Sequence, residues 1–109
     1  MLLKKRIASL YQEVVPVTPT LGAVDYTIST YGVQNIYHLG CGVASVLIMP
    51  NVVECEGCEF LFIPGTLTGG LTIKDDAGNT LETVATSDAP FMLKSTGLTF
   101  PRFDEDTDT

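Results

Sequence analysis

The sequence predicts an all-β protein, a compact antiparallel β-sandwich or barrel of about seven short strands with an extended N-terminal arm. From Val24 onward, short runs rich in β-branched and aromatic residues alternate with turn residues, which is typical of sandwiches and barrels. At 109 residues the chain has room for one domain with one core. We therefore divide it into an arm at 1–22, a β-domain at 23–103 and an acidic tail at 104–109.

The arm begins with the only helical pattern in the chain. Its apolar residues recur at three- and four-residue steps, which predicts a short helix with one apolar face. Those residues are Leu2, Leu3, Ile7, Leu10, Tyr11 and Val14. Pro16 and Pro19 then remove backbone donors and bias the residues before them toward extended conformations. We expect the base of the arm to stay outside the hydrogen-bond ladders of the domain.

Lys4, Lys5 and Arg6 give the arm half of the six positive charges in the chain, whose net charge is −7. Opposite charge and an apolar face together predict that the arm attaches to a neighbouring subunit. The predicted contact residues are Leu3, Lys4, Lys5, Arg6, Ile7, Leu10, Tyr11, Pro16 and Pro19.

Seven segments of the β-domain are predicted strands. They are 25–30, 34–39, 44–49, 59–64, 70–75, 80–84 and 90–95, the last with an extension at 98–100. The segment 44–49 is apolar apart from Ser45, so we expect a central strand buried on both faces. The segments 59–64 and 70–75 are expected to pair as a hairpin. Asp75 to Asn79 is a dense turn signal that predicts a second hairpin between 71–74 and 80–84.

Composition and charge exclude several classes of function. Acidic residues along the domain and in the tail would repel a phosphate backbone, so we expect no nucleic-acid partner. No segment approaches the roughly 20 apolar residues of a membrane helix, and we expect no membrane insertion. Polar residues interrupt Ile7 to Val15, so it does not resemble the apolar core of a secretion signal.

Cys55 and Cys58 are the most conspicuous candidates for chemistry, because two thiols with two residues between them can bind a metal or form a redox pair. Adding Cys41 and His38 would complete a Cys3His set, although the spacing is unlike that of familiar zinc modules. The nearby carboxylates Glu54, Glu56 and Glu59 would raise the thiol pKa. The interpretation we favour is structural cysteines in a surface turn, with no metal and no cofactor.

Three further features are better explained by structure than by catalysis. His38 lies in a predicted strand without a nucleophile motif, so we expect a packed or hydrogen-bonded histidine. Asp75 and Asp76 lack the further oxygen ligands of a calcium loop and fit turn chemistry. The glycines at 65–70 have no lysine and no following helix, which favours a loop over a phosphate site.

The order of motifs resembles that of small β-domains from tailed-phage virions. The resemblance covers roughly residues 24–96 and rests on Leu47-Ile48-Met49-Pro50, on Gly57 to Phe62 and on Leu71 to Thr80. In such domains an apolar strand ends at a proline, a glycine precedes an aromatic strand, and a Leu-Thr-Ile strand leads into an Asp/Gly turn. The cysteines at 55–58 and the prolines at 16–19 depart from this pattern.

The resemblance implies a non-enzymatic capsid decoration, or cement, protein that stabilises the phage head through arm contacts between subunits. Its expected partners are the major capsid protein and copies of itself, with a trimer favoured, and its expected location is the virion surface after synthesis in the host cytoplasm. One alternative is a fibre or spike domain that binds a host glycan, although such a site usually uses exposed aromatics and tryptophan is absent. A second alternative is a small metal or redox protein that uses Cys55 and Cys58.

Overall fold

The structure is a computed structural model that describes residues 16–17, 20–21 and 25–104. These residues form strands and no helix, which confirms the all-β class. The strands are β1 (Pro16–Val17), β2 (Thr20–Leu21), β3 (Tyr26–Thr27), β4 (Gln34–Cys41), β5 (Ser45–Ile48), β6 (Glu59–Leu67), β7 (Leu71–Lys74), β8 (Thr80–Val84), β9 (Phe91–Lys94) and β10 (Arg102–Asp104). No helix in this part of the chain is long and apolar enough to cross a membrane.

The strands form two sheets of mixed direction. Sheet A has the order β1-β4-β6-β9-β10, with β2 also paired to β4, and sheet B has the order β3-β5-β7-β8. In sheet A, β1, β2 and β6 run parallel to β4, whereas β9 and β10 continue the sheet in antiparallel pairs. In sheet B, β3, β5 and β7 are parallel and only β8 is antiparallel. The expected purely antiparallel arrangement is therefore wrong.

The parallel pairs arise because the chain alternates between the sheets from β3 to β7. Each link crosses to the opposite sheet, so the next strand enters beside the strand two before it and runs in the same direction. Leu47, for example, is the register partner of both Tyr26 and Ile73. The chain thus winds like a short solenoid, although its sequence carries no internal repeat. The hairpin between β7 and β8 ends the winding.

The hydrophobic core lies between the two sheets. Alternate residues of β4, β6 and β9 point inward from sheet A, and Leu47, Leu71 and Ile73 point inward from sheet B. Tyr37 packs beside Phe62, with ring centroids 5.4 Å apart, and Phe62 packs beside Phe91 at the same distance. This aromatic row ties together the three central strands of sheet A.

All seven predicted strand segments of the β-domain contain a strand, but the described residues form ten strands, not about seven. Three further details differ from the prediction. β6 pairs with β4 and β9, so the hairpin expected between 59–64 and 70–75 does not form. The extension predicted at 98–100 is not a strand, and β10 forms at 102–104 instead. The segment 44–49 is central in sheet B as expected, although β5 is fully buried on one face only.

The base of the arm joins sheet A. Pro16 is the register partner of Ile36, and Thr20 is the register partner of Gly40. We expected the two prolines to keep this segment out of the ladders. A proline at a sheet edge can turn its missing donor away from the neighbouring strand, which makes such pairing tolerable. The acidic tail likewise begins inside the sheet, since Asp104 is the last residue of β10.

Candidate interaction surface

Most of the residues predicted for attachment lie outside the described part of the chain. These are Leu3, Lys4, Lys5, Arg6, Ile7, Leu10, Tyr11 and Pro19. Pro16 is described as part of β1, where it pairs with β4. The structure therefore fixes the point from which the arm departs, at the edge of sheet A.

Cys55 is a core residue, not the surface turn residue that the sequence suggested. It is 0% exposed and belongs to the main hydrophobic cluster, whereas Cys58 is half-buried. The two lie in one tight turn, in which the Cys58 N–H donates to the Cys55 carbonyl at 2.9 Å. The turn assignment is correct, and the expected exposure of Cys55 is wrong.

Burial is the main reason that the pKa of the Cys55 thiol is raised, and burial also raises the pKa of Cys58. The predicted rise in thiol pKa is therefore correct in direction, but it was attributed to the carboxylates around the pair and not to burial. A raised thiol pKa lowers the thiolate fraction at neutral pH, and the thiolate is the nucleophile and the metal ligand. The local environment thus disfavours both kinds of chemistry.

The four soft donors of the hypothetical zinc set are not brought together. Cys41 ends β4, where it is paired with Leu67 at the far end of β6 from Cys58. There its thiol faces the carbonyls of Thr68 and Gly70, each at 3.6 Å. His38 is exposed in β4, one strand position from the inward-facing Tyr37. Among the described residues, no three His, Cys, Asp or Glu side chains are grouped to bind a metal ion.

The Asp75 carboxylate accepts hydrogen bonds from the turn in which it lies. It accepts the backbone N–H groups of Asn79 at 2.8 Å and Ala77 at 3.0 Å, together with the Asn79 side-chain amide. These hydrogen bonds, the backbone bond from Asn79 first, lower the pKa of Asp75. The Asp76 carboxylate accepts the side-chain amide of Asn51 at 3.0 Å. The turn interpretation of both residues agrees with these contacts.

Exposed hydrophobic side chains are concentrated at one end of the two-sheet domain. We call this the loop end, and it comprises the connections at 28–33, 49–58, 75–79 and 95–101. Leu98 is 86% exposed there, Val33 70% and Val53 64%. Val43, which is 43% exposed, lies at the opposite end. The three residues at the loop end come from three different connections, so the fold places at one end residues that are distant in the sequence.

Hydrogen bonds between the connections fix the shape of the loop end. The Gly57 N–H donates to the Ser95 carbonyl at 2.8 Å, and the Ser95 hydroxyl donates to the Val52 carbonyl at 2.6 Å. The Glu59 N–H donates to the Val33 carbonyl at 2.7 Å. These bonds tie the connections that carry the exposed residues to one another and to β6. The loops that carry the exposed side chains are therefore held in place by hydrogen bonds.

Gly97 makes one of these close approaches possible. A Cβ at this position would lie 2.8 Å from Oε1 of Glu56, and the φ angle is +87°. Glycine tolerates both conditions. The turn that carries Leu98 can therefore pack directly against the connection that carries Val53.

A shallow groove of about 160 Å³ opens beside Leu98. It is lined by Val52, Asp75, Asp76, Leu81, Leu98, Thr99 and Phe100. Sites for small organic ligands usually measure ~300–1,000 Å³, so this groove is better matched to a single inserted side chain. Glu54, Glu56 and Asp76 are also exposed at the loop end and make the rim acidic. A surface of this kind fits a partner that offers an apolar side chain among lysines or arginines.

Sequence reasoning missed this surface because it searched for chemistry in motifs. Val33, Val53 and Leu98 each stand alone among turn residues, and an isolated exposed apolar residue is ordinary. A signal was available, since three turn segments each contain a large aliphatic residue that no strand pattern requires. That the three residues lie at the same end of the domain could not be predicted without the strand order.

No protein-family model matches the chain, and no significant match to a curated protein or to a solved structure was found.

Proposed function

We propose that this protein is a structural component of a phage virion, a head decoration protein that binds the major capsid protein and neighbouring copies of itself. It works by adding contacts to an assembled shell, without catalysis or a cofactor. The virion assignment is supported by the resemblance of residues 24–96 to small β-domains of tailed-phage virions. The binding role is supported by the loop end.

The observation that carries the proposal is the exposure of Val33, Val53 and Leu98 at the same end of the domain, on loops held by hydrogen bonds. Full burial of such a side chain contributes on the order of 1.5–3 kcal/mol, part of which remains to be gained at each of these positions. Because the supporting loops are already hydrogen-bonded to one another, little conformational entropy is lost when they bind. These are the properties of a preformed protein-binding surface.

We assign attachment to the loop end in preference to the arm. The sequence suggested the arm because of its apolar face, its positive charges and the prolines that were expected to leave it free. Pairing of β1 and β2 with β4 ties the base of the arm to its own domain and shortens the segment that could reach a neighbour. The loop end needs no such reach, since its apolar side chains already face outward.

The test is binding of purified protein to shells of the source virus prepared without it. Val53→Ser combined with Leu98→Ser should weaken co-sedimentation with shells at least tenfold, because it removes two of the three exposed anchors. Val43→Ser is the matched control, since Val43 is an exposed valine at the opposite end. Circular dichroism should show all three proteins folded. Unchanged binding of the double variant would overturn the assignment, and binding by none of the proteins would overturn the decoration role.

The proposed homo-oligomer is a closed trimer. A domain of this size buries only about two thirds of the surface of its unfolded chain, and its lightly charged surface favours shared burial. Light scattering at high micromolar concentration should give three times the monomer mass. A monomer under these conditions would contradict the trimer without affecting binding to the shell.

A further inference from the structure

The outer face of sheet A carries an apolar row that runs across the strands. Ile36 is the register partner of Leu61, Leu61 of Met92, and Met92 of Phe103. Because side chains alternate along a strand, all four point away from the core that holds Tyr37, Phe62 and Leu93. The row forms a hydrophobic cluster of its own, with Ile63 as a further member.

The centre of this row is completely buried. Leu61 and Met92 are both 0% exposed, although they lie on the outer side of the sheet. Their packed apolar neighbours among the described residues, Ile36, Ile63 and Phe103, belong to the same face. Neighbours on one face of a sheet stand side by side and leave the tips of the side chains open. Full burial therefore requires a layer above the sheet.

The covered strip is narrow. His38 lies two residues beyond Ile36, on the same face, and is exposed. On the other side of the row, the Lys94 side chain is 42% exposed, and its Nζ lies 3.9 Å from Oε2 of the buried Glu59. The covering element is thus about as wide as one helix, ~10 Å with its side chains.

The segment before β1 is connected to sheet A at one end of the apolar row, and as a helix it would be long enough to cross the row. Pro16 in β1 is the register partner of Ile36, so β1 begins at one end of the apolar row. Sheet A is five strands wide along this row, which spans ~19 Å at the usual strand spacing. A helix of residues 2–15 would measure ~21 Å. The segment can therefore cross the row once, from β1 to β10.

Pattern and charge agree with this placement. Leu3, Ile7, Leu10, Tyr11 and Val14 share one helical face. In a helix that starts from Pro16, Lys4, Lys5 and Arg6 lie ~15–18 Å away, which brings them close to β10. Asp104 ends β10, and Glu105, Asp106 and Asp108 follow it in the sequence. The basic end of the segment would therefore meet the most acidic part of the chain.

We propose that residues 2–14 form an amphipathic helix that docks on the outer face of sheet A of the same molecule, with its apolar side on Ile36, Leu61, Met92 and Phe103. The burial of Leu61 and Met92 within a single chain favours this occupant over a second copy. The inference goes beyond the proposed function and does not depend on it. It makes the arm an internal layer of the domain, not a link to a neighbour.

The direct test is an NMR measurement on the full chain with labelled methionine methyl groups. The Met92 methyl group should show nuclear Overhauser contacts to Ile7, Leu10 or Tyr11. Met49 is the internal control, since it lies in the core between the sheets and should show none. Mixing labelled with unlabelled protein separates contacts within a molecule from contacts between molecules. Contacts between molecules only, or no contacts from Met92 to the arm, would overturn the proposal.

A pair of variants gives an independent test. Ile7→Glu with Leu10→Glu places charge on the proposed docking face, whereas Ser9→Glu with Gln12→Glu adds the same charge elsewhere on the helix. The first should lower the melting temperature by roughly 5 °C or more and speed amide exchange in β9 and β10. The second should leave both nearly unchanged. Equal effects of the two variants would contradict docking through the apolar face.

Discussion

Arg102 on β10 is ion-paired with Glu82 on β8. β10 is the last strand of sheet A and β8 the last strand of sheet B, so this pair bridges the two sheets where both end. The guanidinium also binds Asp104, and its central carbon lies 4.4 Å from the centroid of the Phe91 ring. The Arg102 side chain thus links the last strands of the two sheets and contacts an aromatic core residue.

Replacing Arg102 should cost more stability than replacing its partner. Glu82→Gln removes only a partly exposed ion pair, which contributes ~0–1 kcal/mol. Arg102→Ala also removes the contact with Phe91 and the packing of the aliphatic stem, for a total of about 1–2 kcal/mol. Urea unfolding at low and high salt measures both effects, and salt should reduce the effect of Glu82→Gln. Equal losses in the two variants would mean that the ion pair, not the packing, dominates.

Elements set by local chemistry were predictable from the sequence. The turn at Asp75 to Asn79 forms because Asp75 caps its backbone and Gly78 supplies a φ angle of +93°. Asp75 and Gly78 lie within the same five-residue segment, so the turn can be recognised from local sequence alone. Strands β3 to β9 overlap segments predicted from their residue patterns, whereas β1, β2 and β10 were not predicted.

Elements set by contacts between distant residues were not predictable. The choice of β4 and β9 as partners of β6 depends on the crossing of the link at 68–70, and a hairpin with β7 satisfies the same local pattern. Cys55 lies between Glu54 and Glu56, which indicate a surface turn, yet its own side chain points into the core. The loop end depends on which connections meet, and so on the complete strand order.

The burial of Cys55 changes the expected effect of replacing the cysteines. Cys55→Ser replaces a fully buried thiol with a hydroxyl that is costlier to remove from water, and should cost about 1–3 kcal/mol. Cys58→Ser, at a half-buried position in the same turn, should cost less than ~1 kcal/mol. Urea unfolding under reducing conditions compares the two directly. If Cys55→Ser left the free energy of unfolding unchanged, the result would contradict the burial of Cys55 and support the surface position that the sequence suggested.

The Asp75 turn should make stability depend on pH in the acidic range. Hydrogen bonds lower the pKa of Asp75 in the folded state, so its carboxylate form is favoured by folding. The resulting stabilisation is fully present above the pKa of an unfolded aspartate, about 3.9, and is lost as the pH falls through the lower folded pKa. Asp75→Asn should remove this dependence and lower stability at pH 7.

Asp76→Asn is the control for the acid titration, because Asp76 neighbours Asp75 but accepts its hydrogen bond from Asn51. Thermal unfolding followed between pH 2 and pH 7 compares the three proteins. The wild type and Asp76→Asn should lose more stability toward low pH than Asp75→Asn does. Parallel curves for all three would show that the turn does not contribute to the acid sensitivity.

Gly69 lies where two of the links between the sheets contact each other. It lies in the link from β6 to β7, against Ala44 in the link from β4 to β5. The links are hydrogen-bonded, since the Thr68 N–H donates to the Cys41 carbonyl at 3.0 Å and the Ser45 N–H to the Gly70 carbonyl at 3.3 Å. A Cβ on Gly69 would lie 2.5 Å from the backbone nitrogen of Ala44. The approach thus leaves no room for a side chain.

Gly69→Ala should therefore destabilise the protein far more than the same change at Gly78. Both glycines have positive φ angles, +81° and +93°, so alanine pays a backbone penalty of about 1–2 kcal/mol at either position. Gly78 has open space around it, whereas Gly69 meets backbone that must move. The excess loss of Gly69→Ala over Gly78→Ala, measured by urea unfolding, reports the cost of separating the two links. Equal losses would show that the links do not pack as closely as the winding of the chain requires.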